Sequence, residues 1–260
     1  MILTPDFVYI HQPKTGGTFI TKVLSLVYCS QDGQEGTFVD TDKHATCSEI
    51  PAEHRGKPIV STMRSPYDRY VSQYRFGWWK LHPGLYCGEE AMRSLYPHYP
   101  HLSFDEFVRL ANTRFVNCFQ GRPTGFVNRN FPPDRAPGWH TEQFMRFYFR
   151  GPREAFARLD EAALESGSFR QDMYDVRFLP VERLNGALHE LLLELGHPSE
   201  SIEFIRTEGK IFPVEGGRDP EDRWQDYYNP EIRDYIRFRE RLIFELFPQF
   251  DCFGEERAHG

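Results

Sequence analysis

The segment His11-Gln12-Pro13-Lys14-Thr15-Gly16-Gly17-Thr18 puts a lysine, two hydroxyls and a glycine pair within eight residues. It follows the apolar run Phe7-Val8-Tyr9-Ile10, and the pattern predicts a strand, a tight loop and a helix. Such a loop turns backbone N–H groups toward one point at the positive end of the helix, where phosphates bind. Lys14 adds a mobile charge at the rim, Thr15 and Thr18 add hydroxyl donors, and Gly16 and Gly17 supply turn geometry. A nucleoside-triphosphatase loop reads G-x-x-x-x-G-K-[ST]; here the lysine precedes the glycines, and G-x-G-x-x-G is also absent. A second cluster runs Arg64-Ser65-Pro66-Tyr67-Asp68-Arg69-Tyr70-Val71-Ser72. An arginine at a strand end and a serine two helical turns later can converge on one anion, the first as a forked donor and the second through its hydroxyl. His140, in Trp139-His140-Thr141-Glu142, has the titration range of a general base, and Glu49 is a more distant candidate. His98 and His101 read as a surface loop, and no metal site is expected.

These groups must be held by ordered elements. Strands are expected at 6–11, 58–63 and 176–181. Helices are expected at 17–28, with Ile20, Val23, Leu24 and Val27 on one face, and at 65–78, with Ser65 as cap and Pro66 in the first turn. Ser103 and Glu106 spell a capping box, and further helices are expected near 141–148 and 153–165. A helix at 183–195 closes at Gly196, and one helix runs from Asn229-Pro230-Glu231 to Phe247. Strands alternating with helices imply a single α/β domain with a central parallel sheet flanked by helices. Ligands of such sheets bind at the C-terminal ends of the strands, where both motifs lie.

Two anion sites on one sheet edge fit a nucleotide phosphorylated at both ends of its ribose. On Pro13–Thr18 and Arg64–Tyr74 the chain resembles the sulfotransferase family, whose donor is 3′-phosphoadenosine 5′-phosphosulfate (PAPS). The likeness is strong over the first third, faint at Phe178–Leu184 and Tyr227–Phe247, and undetectable between about Lys80 and Asp175, where such enzymes shape their acceptor pocket. It implies a P-loop-NTPase-like sulfotransferase architecture over residues 1–260, with donor motifs in 7–28 and 58–79 and a variable acceptor region at about 80–175. It implies that Lys14, Thr15, Gly16, Gly17 and Thr18 hold the 5′-phosphosulfate and that Arg64 and Ser72 hold the 3′-phosphate. Phe19 would lie against the adenine. His44 resembles the position from which some carbohydrate sulfotransferases take their base, with His140 as its competitor. A late Arg-Lys-Gly segment of the family has no clear match; Arg206, Lys210 or Arg218 could replace it.

The implied reaction moves a sulfuryl group from PAPS to a hydroxyl-bearing carbohydrate or small molecule, leaving 3′,5′-ADP, with no metal. Two alternatives are a P-loop kinase of a small metabolite, needing Mg²⁺ beside Asp40 or Asp42, and a nucleotide- or glycan-binding module without a base.

With 260 residues and a formal charge of −7, the chain can bury one sizeable core and is not expected to bind nucleic acid. No apolar stretch is long enough for a bilayer, and Asp6 and His11 interrupt the one signal-peptide candidate, so no membrane partner is expected. The five cysteines lack C-x-x-C spacing and read as reduced thiols of a cytoplasmic protein, although Cys29 and Cys47 could pair. Tyr74, Phe76, Trp78, Trp79, Tyr86, Tyr96, Tyr99 and Trp139 are candidates to line an acceptor pocket.

Overall fold

A computed structural model of the chain describes residues 1–29, 38–209, 211 and 222–252. Among them the strands are β1 (Ile2–Leu3), β2 (Val8–Ile10), β3 (Val39–Asp40), β4 (Ile59–Met63), β5 (Cys118–Phe119), β6 (Arg122–Pro123) and β7 (Val176–Pro180). The α-helices are α1 (Gly17–Cys29), α2 (Pro66–Phe76), α3 (Trp78–Leu81), α4 (Glu89–Leu95), α5 (Phe104–Leu110) and α6 (Trp139–Tyr148). They continue with α7 (Pro152–Arg158), α8 (Glu161–Ser166), α9 (Leu184–Glu194), α10 (Ser199–Ile202), α11 (Pro230–Arg239) and α12 (Arg241–Leu246). The chain divides into two compact units, 1–64 with 174–213 and 65–173 with 214–260.

The first unit is built on a five-stranded sheet of order β3-β1-β2-β4-β7. The expected parallel sheet is therefore mixed. β2, β4 and β7 are parallel, with Ile10 beside Ser61 and Met63 beside Pro180, whereas β1 pairs antiparallel with both β2 and β3. The reason is the short link between β1 and β2. Thr4 Oγ1 donates to the Phe7 carbonyl at 2.8 Å and accepts from the Phe7 N–H at 3.0 Å, and so tight a turn can only join antiparallel neighbours. Helices α1 and α9 flank the sheet. Ile20, Val23, Leu24 and Val27 of α1 bury the face expected from their spacing, in one core with Tyr9, Val60, Leu179, Leu188 and Leu192. Beyond α9, Gly196 takes φ 90° and its N–H donates to the Leu193 carbonyl at 3.0 Å, so the predicted stop is present.

The second unit is mostly helical. The Ser103–Glu106 capping box opens α5, and Pro66 stands in the first turn of α2, but the Ser65 hydroxyl makes no cap bond. Two expected helices are interrupted. The 153–165 stretch splits because the Asp160 carboxylate caps a fresh helix at the Ala163 N–H, 2.7 Å away. The C-terminal helix breaks at Glu240, whose carboxylate is wholly buried.

Helix α6 explains that break. Its N-cap is Gly138, with no side chain to serve the first N–H groups. Remote side chains serve them instead. Asn112 Oδ1 accepts from Trp139 N at 3.0 Å, and Glu240 accepts from His140 N at 3.1 Å and Thr141 N at 2.7 Å. The carboxylate also accepts from Thr141 Oγ1 at 2.7 Å and from the Tyr70 hydroxyl at 2.5 Å. A negative group at the positive end of a helix is doubly favourable. Gly138 is required because a Cβ there would collide with the Glu240 carboxylate and with Asn112 Oδ1. Replacing Glu240 by Ala strands several buried donors, so urea denaturation is expected to show a loss of about 3 kcal/mol or more; a loss below about 1 kcal/mol would mean that α6 is capped some other way.

Candidate functional site

Three parallel strands end together in the first unit. β2 runs into the 11–16 loop, β4 ends at Met63 before Arg64, and β7 runs into Val181–Arg183. A Cβ on Gly16, which takes φ 87°, would lie 3.0 Å from Leu184 Cδ2 and 3.6 Å from Val181 Cγ2. The loop is thus wedged against the start of α9, and glycine meets both the conformation and the space. At Gly17 a Cβ would collide with the His11 imidazole.

Hydroxyls inside the sheet brace the loop from below. Ser61 Oγ donates to the Ile10 carbonyl at 2.7 Å. Thr15 Oγ1 donates to the Gln12 carbonyl at 2.8 Å and lies 3.0 Å from Thr62 Oγ1, which is 2.8 Å from the Tyr9 hydroxyl. All four side chains are fully buried. The Thr15 hydroxyl is therefore a loop brace rather than the expected ligand donor; its place near a ligand can come only from its backbone. Thr18 is exposed at the start of α1. The Phe19 ring, expected against an adenine, is buried in the apolar core cluster that includes Ile20 and Leu184.

Lys14 adopts φ 64°, a left-handed conformation that costs a non-glycine residue about 1 kcal/mol. The Arg64 guanidinium donates to its carbonyl, Nη1 to O 3.4 Å. Burial first, then the charges of Arg64 and Lys43, push the Lys14 ammonium down to about 8. Neighbouring cations that weaken the hold of Lys14 on its proton mark a surplus of positive potential, which an anion would relieve. Net negative charge on the chain as a whole does not prevent this, because the field is set locally.

His44 is half-buried, and its Nδ1 lies 3.1 Å from the His11 carbonyl. A carbonyl only accepts, so Nδ1 carries the proton and Nε2 is the basic nitrogen of the neutral ring. Burial, partly offset by that hydrogen bond, holds the imidazole below its usual range. The His11 ring stands edge-on to it, centroids 5.4 Å apart. His11 is itself pushed down to about 3, chiefly by burial and then by Lys43 and His44, so it is neutral and steadies the loop.

His140, the competing base, is an interior residue of the second unit. Its Nε2 lies 2.7 Å from Gln73 Oε1, its ring stacks on Tyr70 at 3.8 Å, and it has no exposed surface. Burial and then Arg69 push it well below the ordinary histidine range. A base must reach its substrate, and this one is spent on packing. Its neighbour Glu142 is equally buried and is pushed up to about 7, chiefly by burial. Ser72 is half-buried on α2 of the second unit. Of the aromatic candidates Trp79, Tyr99 and Trp139 are core, whereas Trp78 is exposed and stacks on Phe76. Arg206 pairs with Glu203 at 3.5 Å; Lys210 and Arg218 lie outside the described residues.

Sequence reasoning thus named Lys14, Arg64 and His44 but missed Lys43, the brace through Thr62 and the orienting role of the His11 carbonyl. The available signal was Ser61-Thr62, two hydroxyls inside a strand that otherwise reads as apolar and buried. Comparison with protein-family models, curated proteins and solved structures gave no match. Among the described residues no helix is long and apolar enough to cross a membrane.

Folding must keep His11 uncharged. Its proton affinity is depressed in the folded state, so its contribution is intact above pH 6.5 and declines as pH falls from there toward 3. The limiting slope is about 1.4 kcal/mol per pH unit. The variant His11→Asn is expected to flatten the acid side of the stability curve measured by urea denaturation at stepped pH. An unchanged slope would show that His11 takes up its proton without opening the loop.

Proposed function

We propose that the chain is a sulfotransferase that moves SO₃ from PAPS to the hydroxyl of a carbohydrate or small molecule. The observation that carries this reading is the meeting of Lys14, Lys43 and Arg64 charges at a loop whose shape is fixed by buried braces. The loop amides at the start of α1 and Lys14 suit the 5′-phosphosulfate, and Arg64 suits the 3′-phosphate. Lysine, arginine and backbone donors are the chemistry such a doubly phosphorylated nucleotide requires, so the residues present fit it.

In the proposed reaction the acceptor oxygen attacks sulfur while His44 Nε2 takes its proton. The bond from sulfur to the bridging oxygen breaks, and that oxygen keeps the electron pair as part of the 5′-phosphate of 3′,5′-ADP. Lys14 stabilises the charge that develops there, an interaction stronger in the transition state than in the ground state. His44 suits the base role because its tautomer is fixed by the His11 carbonyl and its imidazole is neutral at physiological pH.

The direct test is a screen of hydroxyl acceptors with PAPS, read as a mass gain of one SO₃. Lys14→Ala is expected to lower turnover by about a hundredfold or more while 3′,5′-ADP affinity falls by less than about tenfold. Equal losses in both would reduce Lys14 to a binding residue. Stabilisation of the fold by ATP but not by 3′,5′-ADP in a thermal melt would overturn the donor assignment.

A further inference from the structure

We propose that Arg64 is a positioning residue of the 5′-phosphate loop as well as a ligand of the 3′-phosphate, so that the two anion subsites are coupled through one side chain. This rests on the sulfotransferase reading of the loop. Lys14 is the described non-glycine residue of the first unit with positive φ; Asn117 and Gln120, the others, belong to the β5–β6 hairpin region of the second. A lysine persists in that conformation only where its surroundings over-determine it. Three devices do so. Thr15 is tied to Gln12 and Thr62, Gly16 is wedged against Val181 and Leu184, and Arg64 Nη1 donates to the Lys14 carbonyl at 3.4 Å.

The Thr15 brace is fully buried, and the Gly16 wedge is a contact with apolar side chains. Arg64 is half-buried, and a guanidinium has five N–H donors in a rigid fork. One can hold the loop while others serve a phosphate. A phosphate on Arg64 fixes the fork, the fork fixes the Lys14 backbone, and the Lys14 backbone aims the amine. The same guanidinium also helps depress the Lys14 ammonium to about 8, which supplies a second, separable signature.

The test uses 5′-AMP, which carries no 3′-phosphate, titrated calorimetrically into wild type, Arg64→Gln and Arg64→Lys over a range of pH. Thermal melts establish that each variant is folded. Both variants are expected to bind 5′-AMP about tenfold more weakly than wild type at pH 7, because neither retains the fork. The alkaline decline of binding, near pH 8 in wild type, is expected to move upward in Arg64→Gln, where a neighbouring charge is gone, and to stay in Arg64→Lys. Unchanged 5′-AMP affinity in both variants would confine Arg64 to the 3′-phosphate and overturn the proposal. A loss confined to Arg64→Gln would make Arg64 a charge and not a brace, and would overturn it equally. If wild type binds neither 5′-AMP nor 3′,5′-ADP, the sulfotransferase reading itself fails.

Discussion

Arg64 reaches the Lys14 carbonyl because β2 and β4 are adjacent, parallel and in register, with Ile10 beside Ser61. Parallel neighbours deliver their C-terminal ends to the same edge of a sheet, and each end carries one of the two cationic motifs. An antiparallel pairing of the same two strands would have put Lys14 and Arg64 at opposite edges. The chemistry of the first unit therefore depends on strand direction before it depends on any single side chain. The hydroxyls of Ser61 and Thr62 reinforce this by bonding to the very end of β2 and to the loop that leaves it.

Concentrating positive charge has a cost. Lys14 lies partly out of water near two other cations, and its hold on its proton weakens accordingly. A left-handed lysine adds strain. Stabilisation must come from elsewhere in the unit, and the apolar core of α1, α9 and the sheet supplies it through many buried aliphatic side chains, each worth roughly 1.5–3 kcal/mol. A strained, cation-rich loop on a well-packed base is the arrangement expected where an anionic ligand is to be held.

The second unit solves a different problem. α6 begins at a glycine, and its first N–H groups find acceptors from residues far away in the chain, Asn112 and Glu240. This long-range cap draws Glu240 inward, breaks the C-terminal helix at that point, and closes around Tyr70 and Thr141. His140 is caught in the same interior, stacked on Tyr70 and bonded to Gln73. Its chemistry as a base is spent on architecture.

The sequence by itself determined the local events: the strand-loop-helix order around Lys14, the buried stripe of α1, Pro66 at the start of α2, the Ser103–Glu106 box, and the stop at Gly196. Each depends on residues within a turn or two of one another, so spacing and residue type are enough. Tertiary structure decided what depends on distant partners. It made the sheet mixed, since strands of two residues carry no readable period. It turned the Thr15 hydroxyl and Phe19 inward, separated His44 from His140 by burial, and chose the basic nitrogen of His44 through the His11 carbonyl. No spacing rule encodes these outcomes, because the group that sets each one is brought in by the fold.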